Sequence, residues 1–233
     1  MKKYLSILCL VLLIVPCILA ICACTNEPRV HVKTANELAE AITNAKENTV
    51  IVLDNDIEVT AQVNITQKMT LDLNGNKLYN TSDIWDEETK SWSIISVGAN
   101  GNLTITGNGE VSAKEDDCFA VDIRDGGNCV IKDSKFFGNI TCVYVFEGSL
   151  EVMGGEYKIQ QLANYQNDQY RETLNCYNQN AENNTASIVV TGGSFYNFNP
   201  QNNNADGTGT NYLADGYSSN QNQDGYYEVT KNI

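Results

Sequence analysis

Two adjacent carboxylates, Asp116 and Asp117 in the stretch EDDCFAV, are the pair best placed for acid–base work. Such a pair can divide glycoside cleavage, one carboxyl donating a proton while the other activates water. Further on, Arg124 stands between Asp122 and Asp125 at strand spacing, which sets a cationic group beside carboxylates. Proton abstraction beside a uronate calls for a base of that kind and for Ca²⁺ to neutralise the acid group. Asp54, Asp56 and Glu58 alternate and could offer oxygen ligands to Ca²⁺, although Asp54 also falls where a turn is expected. The plainer reading of Arg124 is an ordinary ion pair on a solvated face. The only histidine is His31, and no CxxC pair exists, so a zinc site is not expected. Trp85, Trp92, Tyr165 and Tyr170 complete the candidates. Exposed rings give flat contact to sugar faces, and the amides and carboxylates around them can bond hydroxyls.

A recurring pattern must position these residues: apolar, any, apolar, any, turn residue, two of any kind, apolar. It reads Leu71, Leu73, Gly75, Leu78, and again Leu150, Val152, Gly154, Tyr157, and Ile188, Val190, Gly192, Phe195. Cys129, Ile131, Asp133, Phe136 and Val50, Val52, Asp54, Ile57 fit with Asp in the turn. Leu103, Ile105 and Gly107 begin a copy whose last apolar residue, Val111, comes one position late. Period-two alternation turns one side chain inward and the next outward, and Gly, Asn or Asp tolerates the backbone of a corner. One unit cannot bury its own apolar face, so copies must stack. A base unit of about 21 residues with loop insertions accounts for the spacing, long enough for three short strands. The expected fold is all-β, a right-handed parallel β-helix.

Insertions gather at one corner of that repeat. TSDIWDEETKSW, KEDD, NIT and QQLANYQNDQYRETLN each precede a strand in the corresponding position. Loops at one corner line up along one edge, so Trp85, Trp92, Asp116, Asp117, Tyr165 and Tyr170 are expected to collect there as a ligand-binding edge. Alternatively, the rings fold back and close the loops over the coil.

The chain ends fit an exported protein. Lys2-Lys3 precedes a long apolar stretch broken by Pro16, and the sequence turns polar at CTNEPRV without a basic stop-transfer cluster. That is a signal-peptide pattern. ICAC resembles a lipobox with Cys24 as the lipidated residue, although Cys22 departs from the usual choice; plain secretion or an uncleaved anchor are the alternatives. The expected organisation is a leader at 1–23, a lipidated Cys and tether at 24–33, and a β-helix over 34–233 with an irregular cap from about 198. Thr34 and Glu37 have capping-box spacing ahead of Leu38, Ala39, Ile42 and Ala45, which predicts a short amphipathic capping helix. Cys118, Cys129, Cys142 and Cys176 remain after the leader. Cys118 and Cys142 open equivalent strands, with Cys176 a candidate third, so a disulfide and buried thiols both stay open. With 29 Asp+Glu against 15 Lys+Arg, nucleic acid is a poor partner. The membrane is reached only through the lipid.

TANELAEAITNAKENTVIVLDNDI, the TGGSFYNFNP corner and the tail GTNYLADGY…DGYYEV resemble pectin-lyase-like β-helix domains of bacterial surface proteins, common in gut anaerobes. The resemblance covers most of residues 34–233 and implies the fold and a cell-surface location. EDDCFAV resembles the paired-aspartate motif of polygalacturonases, matching at Asp116 and Asp117 alone. The Gly-His-Gly stretch that follows in that family is replaced by FFGNITC, and the basic substrate-binding motif is missing. The expected function is a non-catalytic surface lipoprotein that binds a polysaccharide or another surface ligand, without a required cofactor. A polysaccharide lyase or glycosidase, with Ca²⁺ in the lyase case, and a structural spacer are the alternatives.

Overall fold

The computed structural model describes residues 27–161 and 171–233. Thr34 caps the first helix, its Oγ1 accepting from Glu37 N, while the Glu37 carboxylate reaches back to Lys33 N. This reciprocal closure satisfies donors that a helix start leaves free. The helix, α1, spans Ala35–Asn44 and buries Leu38, with Ala41, Ile42 and Ala45 against the core. Ala39, expected on the apolar stripe, is exposed.

Strands then follow in threes. After β1 (Arg29–Val32) and α1 come β2 (Thr49–Leu53), β3 (Ile57–Glu58) and β4 (Val63–Ile65). Next are β5 (Lys68–Asp72), β6 (Lys77–Tyr79) and β7 (Ser93–Val97), then β8 (Asn102–Thr106), β9 (Glu110–Ser112) and β10 (Phe119–Ile123). The series continues through β11 (Gly127–Ile131), β12 (Lys135–Gly138) and β13 (Val143–Val145), then β14 (Gly148–Val152), β15 (Glu156–Ile159) and β16 (Leu174–Cys176). A short helix, α2 (Asn178–Glu182), leads to β17 (Ala186–Val190) and β18 (Ser194–Tyr196), with β19 (Tyr217–Gln221) and β20 (Tyr226–Lys231) at the end.

Every third strand shares a sheet. The first sheet runs β1-β2-β5-β8-β11-β14-β17 and the third β16-β13-β10-β7-β4. The second runs β3-β6-β9-β12-β15-β18 and ends in β20 and β19. All pairings between named strands are parallel except β18–β20 and β19–β20, which are antiparallel. The fold is therefore all-β with long parallel sheets, an order compatible with a β-helix-like solenoid. The core lies among the sheets and is dominated by Ile, Leu and Val.

The last apolar residue of each repeat falls where the pattern predicts. Ile57, Leu78, Val111, Phe136, Tyr157 and Phe195 pair in register along the second sheet. Phe136, Tyr157 and Phe195 stack with centroids 5.2 and 4.8 Å apart and planes within 10°. The first-sheet register differs from the expected alignment. Leu71 pairs with Ile105, and Met69 with Leu103, a two-residue offset. Ile51, rather than Val50 or Val52, pairs with Leu71 and joins the core. All five residues of β2 are buried, so apolarity alone does not reveal which of them face inward.

The corners also differ in detail. Left-handed backbone falls at Ser134, Gly155 and Gly193, one position after Asp133, Gly154 and Gly192. Gly154 is required for another reason: a Cβ there would collide with the carbonyl oxygen of Lys132 in the turn beneath. Residues 29–32, expected in a tether, form β1 and pair with β2. The cap after 198, expected to be irregular, contains the β19–β20 hairpin. Cys118, Cys129, Cys142 and Cys176 are buried and free. Cys176 aligns with Val145 at the end of β13 rather than with Cys142, so the three do not open equivalent strands.

Candidate functional site

All four expected insertions connect a strand of the second sheet to one of the third. The connections are 80–92, 113–118, 139–142 and 160–173. The first three therefore meet at one edge of the third sheet, and the fourth leaves and re-enters at the same edge through its described residues.

The first connection folds on itself. Asp86 and Ser91 form an antiparallel bridge through Asp86 N to Ser91 O and the reverse, at 3.0 and 2.9 Å. Asp86 Oδ1 accepts from Glu88 N and Thr89 N, and Lys90 takes left-handed backbone at φ 57° to close the turn. Hydrogen bonds from Thr89 and Glu88 hold the Asp86 carboxyl below its usual range. Trp85 enters this small hairpin and Trp92 leaves it, so the rings face one another at 6.3 Å and 26°. Trp92 Nε1 donates to Glu87 Oε2 at 3.1 Å.

Asp117 fixes the hairpin's root. Its carboxylate accepts from Ile84 N at 2.8 Å, Trp85 N at 2.9 Å and Asn80 Nδ2 at 2.7 Å. The side chain is buried and faces the loop, not solvent. Asp116 is exposed and pairs with Lys114, which also holds Asp83 at 2.8 Å. The Lys114 hydrogen bond and charge lower the Asp116 pKa. Trp85, Asp116 and Asp117, with Asp83, Phe119, Asn139 and Ile140, line a cleft of about 370 Å³. A larger groove of about 470 Å³ lies between β1 and α1, lined by Val30, Glu37 and Ala41 among others, and holds none of the expected site residues.

The third sheet supplies the rest. Val143 and Val145 point into the core, so Tyr144 between them points outward, in register with Asp122, Ser96 and Asn64. Trp85 meets Phe119 edge-on at 5.4 Å, and Phe119 meets Tyr144 at 5.5 Å. Trp92 contacts Tyr144 at 6.3 Å and Phe146 at 5.9 Å, and Phe146 stacks on Tyr177 at 5.0 Å. Six rings thus form one continuous row. Its ends are the most open, Trp85 at 41% and Tyr177 at 38% exposure, while Trp92, Tyr144 and Phe146 are half-buried and Phe119 is buried.

Beneath Trp92 lies a polar floor. Asp122 is fully buried and accepts from Arg124 Nε at 2.6 Å, Ser93 Oγ at 2.5 Å, Ser96 Oγ at 3.2 Å and Gln62 Nε2 at 3.3 Å. Burial raises the Asp122 pKa, and Arg124 and the serine hydroxyls oppose that rise. The Arg124 guanidinium sits 4.4 Å over the Trp92 ring. The Asp122–Arg124 pair, expected on a solvated face, is instead an enclosed support for the indole. Next to Tyr144 on β16 is Asn175, and just before that strand burial pushes the Glu172 carboxyl up to about 7, with the charge of Asp206 adding.

Trp85, Trp92, Asp116 and Asp117 are therefore brought to one edge. Cys24, Tyr165 and Tyr170 lie outside the described residues. Phe119, Tyr144, Phe146 and Tyr177 were not among the expected residues; the alternation in CVYVF is the signal that turns Tyr144 outward. Asp54 accepts from His31 Nδ1, Asp56 from Lys77 N, and Glu58 from Thr81 Oγ1, so one oxygen of each carboxylate is engaged locally. Among the described residues no group of three or more His, Cys, Asp or Glu side chains is arranged to hold a metal ion. No helix among them is long and apolar enough to cross a membrane. No protein-family model, curated protein or solved structure matches the chain.

Proposed function

We propose that the chain is a non-catalytic binding module of a cell surface, holding a glycan or another surface ligand on the row of rings at its insertion edge. The finer fold in this reading is a right-handed parallel β-helix of the pectin-lyase-like kind, exported and tethered through a lipid on Cys24. One observation carries the binding role: a continuous aromatic row, open at Trp85 and Tyr177, set on a built polar support rather than sealed in the core. Soluble proteins do not usually leave connected rings at the surface without a partner for them.

A glycosidase reading would use Asp116 and Asp117, and both are committed elsewhere. Asp116 is held ionised by Lys114, the wrong state for a proton donor, and the Asp117 oxygens are occupied by one loop. A glycan-array screen of the chain and of Trp85→Ala, each with a thermal unfolding curve, tests the binding role. The expected result is a hit whose affinity drops by about 1–2 kcal/mol in the variant while folding changes little. Unchanged affinity with a large loss of stability would make the rings loop packing and favour a spacer. The tether is tested separately: Cys24→Ala should move the protein out of the membrane fraction.

A further inference from the structure

Resting on the binding role above, we propose that the ligand is an extended, uncharged oligosaccharide lying across the strands of the third sheet from β7 toward β16. The rings are distributed strand by strand. Trp92 leads into β7, Phe119 opens β10, Tyr144 sits within β13 with Phe146 after it, and Tyr177 follows β16. These four strands are consecutive hydrogen-bonded neighbours, and the row crosses them obliquely, because Phe119 is in register with Ser93 whereas Tyr177 follows Cys176, which aligns through Val145 with Ile123. At a strand spacing of about 4.8 Å it reaches about 14 Å across the sheet, the length of about three sugar units.

A single sugar covers one ring and gains nothing from the others. Exposure is concentrated at the two ends, with Trp92, Tyr144 and Phe146 half-buried between them and Phe119 buried beneath, so only a chain that reaches both Trp85 and Tyr177 uses the whole row. Once one unit is seated, the next contact is intramolecular, and affinity grows with length until the row is filled. The chain must also be ribbon-like, because rings joined at 5.0 to 6.3 Å between centroids present successive flat contacts rather than a pocket.

Charge points to a neutral polymer. Arg124 lies against the row, but its Nε is bound to Asp122 and its guanidinium lies on Trp92. Lys114, near the cleft end, faces Asp83 and Asp116 together. The chain as a whole carries a formal charge of −14, so a polyanion approaches against the field.

The test is calorimetric titration of the purified chain with cello-, manno- and chito-oligosaccharides of one to six units, with hexagalacturonate as the charged probe. The expected result is a rise of at least tenfold in affinity from the monomer to the trimer of the preferred series, flattening beyond about four units. Hexagalacturonate should bind at least tenfold more weakly than the neutral hexamer. Trp85→Ala and Tyr177→Ala, confirmed folded by their unfolding curves, should each weaken the hexamer roughly fivefold and bring the flattening to a shorter chain length. A monomer as tight as the hexamer, or tighter binding of hexagalacturonate, overturns this inference while the binding role stands. Failure of every probe, neutral and charged, overturns the inference and turns the binding role away from these glycans toward another surface ligand.

Discussion

With both oxygens taken by Ile84 N, Trp85 N and Asn80 Nδ2, Asp117 is an anchor for the tryptophan hairpin. Asp117→Ala leaves those donors unsatisfied in a buried place, at a cost of about 1–3 kcal/mol. Chemical denaturation should show that loss, whereas Asp116→Ala should leave the midpoint essentially where it was. Equal effects from the two substitutions would remove the anchoring role. Glu172 behaves differently because its carboxyl prefers the proton in the folded chain. Its pKa rises from 4.5 unfolded to about 7 folded, so the folded state binds more protons between those values. Its contribution to stability is therefore fully present below about 4.5 and is lost as pH climbs to about 7. Unfolding temperature should decline from pH 5 to pH 8, and Glu172→Gln should flatten that decline. Identical profiles for both proteins would assign the pH response to another group.

Sequence and structure agree most closely at the elements whose partners are near in the chain. The α1 start was legible because Thr34 and Glu37 close it within one turn. The corner ladder from Ile57 to Phe195 was legible because each copy announces its own turn. First-sheet register was not, since Met69 and Leu71 are both apolar and the choice between them depends on the neighbouring strand. The same limit applied to the site. Trp85 and Trp92 stand out in a polar insertion, but Phe119, Tyr144 and Phe146 read as ordinary strand residues until register assigns their faces. The inner stack has its own consequence: Phe136 lies flat on Tyr157, which lies flat on Phe195. Phe136→Ala should cost about 3–5 kcal/mol in equilibrium unfolding, the range for removing a large buried ring. A loss below about 1 kcal/mol would mean that the stack collapses around the gap.

At the scale of the whole molecule, each repeat rests mainly on the repeats beside it, and chain inserted at the corner between the second and third sheets leaves the pairing intact. This explains how 80–92 adds a hairpin without disturbing β6 or β7, both still in parallel register with their neighbours. The same architecture carries a hazard, because a parallel stack is a template that an identical chain could extend. The far end is built against it. On the second sheet β20 pairs with β18 in the opposite direction. On the first, Leu213 forms a parallel bridge with Val190, whose N donates to Tyr212 O, and on the third, Cys176 N donates to Asp206 Oδ1. Each of these edges is thus met by residues between 206 and 231, and that cover blunts the face as a template for an identical chain.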